Sequence, residues 1–156
     1  MNAQHERSLA ELGQAVAEAV SFFATVDENL PDGEQTARSV LSHLVFWHRE
    51  YVAIAEALAA GRAPVLLQGR FTEFYRQAYR EFASVPLPSL ARQLAEFQAR
   101  LDRALRAVPD WKAGFPIKQG GKFTSVEQRV PSLAAHIHNH VVSLRKAQRH
   151  ALALAY

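Results

Sequence analysis

The chain has 156 residues, with 18 Lys and Arg against 15 Asp and Glu, a formal charge of +3 scattered along the sequence. That length fits one domain with a real core, residues 1–156, and so weak and dispersed a charge gives no basic stripe for nucleic acid. There is no cysteine. Disulfides, thiolate nucleophiles and cysteine zinc knuckles are therefore excluded, and any metal site must use nitrogen and oxygen ligands. The N-terminus MNAQHERSLAELGQ has no apolar signal core, and no stretch reaches the roughly 18 apolar residues of a membrane span, so a soluble, cytoplasmic protein is expected.

Apolar residues recur at helical spacing, and no segment alternates with the period of a strand, so the chain is expected to be all-α with no sheet. In the first segment Leu9, Leu12, Val16, Val20 and Phe23 trace one face, and Pro31 and Gly33 punctuate its end. The second carries Val40, His43, Trp47, Tyr51, Ile54 and Leu58 at steps of three and four, then stops at Gly61 and Pro64. After the linker RAPVLLQGR, the run FTEFYRQAYREFA predicts a shorter helical piece, ended by Pro86 and Pro88. From Ser89 as N-cap, Leu90, Leu94, Phe97, Leu101, Leu105 and Val108 repeat cleanly up to Pro109. The stretch PDWKAGFPIKQGGKFTS holds three of the seven glycines and two of the seven prolines, making it the longest irregular segment.

The last helix is expected to open with Val130 and Pro131 in its first turn. Its inward face runs through Leu133, His136, Ile137, His140, Val141 and Leu144, whereas His138 shares the solvent face with Arg145 and Arg149. Four main helices with an extra helical piece between the second and third read as a four-helix bundle. The link between those two helices is long enough for a crossover, leaving both up-and-down and up-down-down-up order open.

The chemistry lies in the histidines. His136 and His140 stand one turn apart on one helix face, where two imidazoles can aim at one cation. His43, on the apolar stripe of the second helix, is the candidate third ligand, and three imidazoles leave a coordination position open. His48 is the rival, but it lies about 140° round the helix from His43. Zinc or nickel is the expected cation, although affinity order alone does not decide it. The order His136-Ile137-His138-Asn139-His140 lacks the glutamate of a zincin-type protease. Trp47 and Tyr51 follow His43 and can wall a substrate pocket, and Glu50 is a candidate carboxylate beside it. Lys118 and Lys122 flank QGG in the long loop, where they can close over an anion or simply face water. A bland alternative stands beside all of this, in which the histidines are hydrogen-bonded core residues.

The segments SHLVFWHREY and AAHIHNHVVSLRKA, with the loop FPIKQGGKFTS between them, resemble the DinB-like (YfiT-like) four-helix-bundle superfamily, and are most similar to its ClbS/DfsB branch. The resemblance implies an up-down-down-up bundle, a homodimer, and a divalent-metal site made by His43, His136 and His140. It also implies an enzyme of hydrolase or transferase class acting on a small organic molecule, in resistance or detoxification. After the late histidine pair many DinB-like chains carry His-Arg-Gly-Gln where this one has Val141, Val142, Ser143 and Leu144, which weighs against their thiol-transfer route. Two other functions remain open: a metal-free protein of ClbS/DfsB type that sequesters its ligand, and a bundle that only associates with other proteins.

Overall fold

A computed structural model describes residues 1–155. Among the described residues there are five helices, α1 (Ala3–Phe23), α2 (Ala37–Ala59), α3 (Phe71–Phe82), α4 (Leu87–Ala107) and α5 (Val126–Leu154). The fold is all-α, and α1, α2, α4 and α5 form the bundle.

Side-chain pairs between helices fix the chain directions. His5 meets Glu127 and His138 meets Glu18, so α1 and α5 run parallel. Arg106 near the end of α4 binds Glu6 near the start of α1, so those two are antiparallel. His48 pairs with Gln98, and Glu56 with Arg100, setting α2 and α4 in the same direction. His43 lies against His136 while Tyr51 lies against Arg129, so α2 and α5 oppose each other. The order is up-down-down-up, and α3 rides on the crossover between α2 and α4.

The helix ends follow local chemistry. Thr36 caps α2 by accepting from the Ser39 amide at 3.2 Å, while the Thr36 amide donates to Ser39 Oγ at 2.9 Å. At the other end Gly61 takes φ 70°, a left-handed conformation that glycine adopts without the strain a Cβ would bring, and Arg62 closes back on the Ala57 carbonyl at 2.8 Å, a Schellman ending.

Three expectations need correction. Short ladders do exist: β1 (Pro31–Asp32) pairs with β2 (Gln35–Thr36), and β3 (Gly114–Phe115) pairs with β4 (Thr124–Ser125), both antiparallel. Two-residue strands are too short to show a period, so sequence patterning could not reveal them. Helix α5 begins at Val126 rather than Val130, capped by Ser125, whose Oγ accepts from the Gln128 amide at 3.2 Å; Pro131 therefore falls inside the helix. Its missing N–H removes one helical bond, which the cap and the buried face outweigh. Helix α4 begins at Leu87, before Ser89, because prolines at 86 and 88 lose nothing in a first turn whose amides have no helical partner.

The core is one continuous cluster that joins all five helices, with Leu9, Leu12 and Phe23 from α1, Leu41 and Phe46 from α2, Leu90 and Leu94 from α4, and Ile137 and Leu144 from α5. The long loop is anchored by Trp111, buried with its Nε1–H donating to the Leu105 carbonyl at 3.0 Å. Gly114 admits the Phe123 ring, which would stand 2.2 Å from any Cβ there. The loop is also tied to the linker after α2: the Gln119 amide donates to the Leu67 carbonyl at 2.8 Å, which carries Ile117 to the cavity described next.

Candidate metal centre

Helices α2 and α5 bring His43, His136 and His140 together. Each offers one ring nitrogen, and these three atoms all lie within 4.8 Å of one another. The Nε2 atoms of His43 and His136 stand 3.4 Å apart, close to the spacing of two ligands about 2.0–2.1 Å from one tetrahedral cation. His43 and His140 are half-buried, whereas His136 is exposed, so the cluster sits at an edge of the bundle rather than sealed within its core. An exposed side suits a centre that must keep a position for an incoming ligand.

The electrostatics fit the same use. Burial, with the neighbouring His136 and His140 adding to it, lowers the His43 pKa to about 4. Burial also lowers His140 to about 4, helped by His136 and opposed by Asp32. His136 is lowered by desolvation. Near neutral pH all three rings are therefore uncharged, the form in which imidazole ligates a metal. His43 Nδ1 is buried with no hydrogen-bond partner among the described residues. A neutral donor set with closely spaced nitrogens fits a divalent cation, and His43, His136 and His140 are the residues that would hold it.

Trp47 and Tyr51 line a cavity of about 350 Å³ that also reaches His43 and His136. Its other walls include Leu44, Phe71, Ile117 and Leu133. The remaining expected residues lie elsewhere. His48 is 1% exposed and donates through Nε2–H to Gln98 Oε1 at 2.7 Å, so it is a satisfied core histidine outside the three-histidine cluster, although its ring borders the cavity. His138 faces outward and meets Glu18 at 3.4 Å. Glu50 does not line the cavity; burial raises its pKa, opposed by Arg49, which forms a two-bond pair with Glu81. Lys118 places Nζ 5.3 Å over the Phe71 ring, while Lys122 is exposed.

Three residues near the cluster escaped the sequence reading. Asp32, on β1, accepts from Ser143 Oγ at 2.6 Å and acts electrostatically on His140. Tyr75, on α3, holds its ring 5.6 Å from that of His43, with its hydroxyl buried and unpartnered among the described residues. Arg129 lines the cavity on the same α5 face as His136, nearly two turns earlier. An aspartate in a turn and an arginine on an amphipathic helix look solvated in sequence, and only the helical spacing of Tyr75 gave a signal.

The sequence profile of the mycothiol maleylpyruvate isomerase N-terminal domain matches residues 5–142. The chain belongs to that family. The family places it in the DinB/YfiT-like helical superfamily. The crystal structure of the mycothiol-dependent maleylpyruvate isomerase is similar at a TM-score of 0.71 and 16% identity, covering 92% of this chain and 63% of that one. A histidine-to-alanine mutant of that isomerase is similar at a TM-score of 0.71 and 15% identity, with the same coverage. At these identities the likeness shows the fold, and the chain spans under two thirds of those proteins' length. No curated protein matches the chain.

Proposed function

We propose that this chain is one metal-binding domain of an enzyme that acts on a small organic molecule, with His43, His136 and His140 holding a zinc or nickel ion. The observation that carries the reading is the convergence of three neutral imidazole nitrogens within 4.8 Å beside a cavity of about 350 Å³. A bound cation would supply Lewis acidity, polarising an electrophile or lowering the pKa of a coordinated water or thiol. The chain's own residues do the rest. Trp47, Tyr51 and Phe71 exclude water and hold the apolar part of the ligand against the histidine end.

Hydrolysis or group transfer, in resistance or detoxification, is the proposed reaction class, and the proposed kinship within the superfamily is with the ClbS/DfsB branch. The name of the similar isomerase supports a small-molecule substrate. The second reading is a metal-free sequestering protein, favoured by the 3.4 Å separation of His43 and His136 Nε2, which one ring proton can bridge. We also propose a homodimer, supported by exposed Phe71 and Tyr79 on α3, with sedimentation as its check.

Metal analysis of tag-free protein separates the two main readings. The enzyme reading expects about one equivalent of divalent metal per chain and its loss in His140→Ala. Metal-free protein that still binds small molecules would favour sequestration.

A further inference from the structure

The cavity holds a charge that the three histidines do not explain. Arg129 lines it, and no carboxylate forms an ion pair with this guanidinium among the described residues. Arg129 is half-buried, and because arginine cannot shed its proton its charge is best met by an anion. Its Nε is buried with no hydrogen-bond partner among the described residues. The Phe115 ring, 5.6 Å from Cζ, holds the group on one side. On another side lies Tyr51, which lines the same cavity and whose hydroxyl is held toward its protonated form by burial. That protonated hydroxyl is a donor for an anion that meets Arg129.

We propose that Arg129, with the Tyr51 hydroxyl, is the anion-recognition point of this cavity, and that the small molecule it takes carries a carboxylate. The assignment rests on the proposed ligand cavity, but does not depend on the metal. Arg129 and His136 are seven residues apart on α5, nearly two turns, so they share a face about 10 Å apart along the axis. A ligand anchored by its carboxylate at Arg129 would extend past Trp47 and Phe71 toward the histidines. One cation and mainly apolar walls suit a monocarboxylate better than a phosphate dianion, and the planar fork of arginine matches a carboxylate in two bonds.

Calorimetric titration of the full chain as purified tests this with 3-phenylpropanoate, its amide and phenyl phosphate. The acid should bind at least about tenfold more tightly than the amide, as a charged hydrogen bond permits. That preference should vanish in Arg129→Gln, survive in part in Arg129→Lys, and fall several-fold in Tyr51→Phe. It should persist in His140→Ala, so failure of the metal reading leaves this outcome untouched. Thermal unfolding checks that each variant folds; if Arg129→Gln does not, the Lys and Tyr51 variants decide. Equal binding of acid and amide, a preference unaffected by these substitutions, stronger binding of phenyl phosphate, or binding of none of the probes would overturn the proposal.

Discussion

Helix α2 carries two histidines five residues apart in opposite circumstances. His48 is enclosed by the core and donates to Gln98 at 2.7 Å, whereas His43 reaches the bundle edge, where its ring nitrogens face two more histidines or nothing. Both have pKa values lowered to about 4 with burial as the leading cause, so a depressed pKa does not distinguish them. Partners do. A buried polar group whose needs are met by the fold is structural, while several left to one another mark a place where the fold awaits a ligand.

The sharpest way to break this comparison is to remove the rings in turn. Alanine at His43, His136 or His140 should reduce metal affinity by at least about 100-fold, more than loss of an outer partner costs, while His138→Ala should leave it unchanged. Equilibrium dialysis with zinc measures both. His48→Ala should do the reverse, costing about 2–4 kcal/mol in urea unfolding through a cavity and an unpaired Gln98, with metal affinity kept. If His48→Ala empties the site, the two environments are not separate.

Acid provides a second test. His48 binds its proton in the unfolded chain near pH 6.5 but in the folded chain only near 4. Above 6.5 both states are neutral; as pH falls below 6.5 the unfolded state gains the proton first, and stability is lost down to about pH 4. For His48 the loss by pH 4 is about 3 kcal/mol. His43 and His140 act in the same direction in metal-free protein. Urea unfolding at pH 7 and pH 4.5 should show that slope, reduced in His48→Ala.

The smallest expected effect is at Asp32. Its charge supports the positive form of His140, and removing it in Asp32→Asn should lower the His140 pKa further, read by NMR titration, with about tenfold weaker zinc binding. An unchanged His140 titration would detach Asp32 from the centre.

The contrast also explains what the sequence made legible. His136 and His140 could be paired from spacing alone, since one helix carries both, and His43 followed from its place on an apolar stripe. The long crossover left two helix orders open, and the directions became visible in pairs such as Arg106 with Glu6. Arg129 was hidden because an arginine on a helix is ordinarily solvated, and its significance lies in lining the cavity with no ion-pair partner among the described residues. Asp32 was hidden because its approach to α5 depends on a two-residue ladder with no sequence period.

X-ray absorption at the zinc edge of tag-free, zinc-loaded protein tests the central claim most directly. Three imidazole nitrogens at about 2.0–2.1 Å with one further light ligand are expected, falling to two imidazoles or no bound zinc in His140→Ala. A zinc shell with fewer than three imidazoles in the unaltered protein, or one unchanged in His140→Ala, would contradict the account.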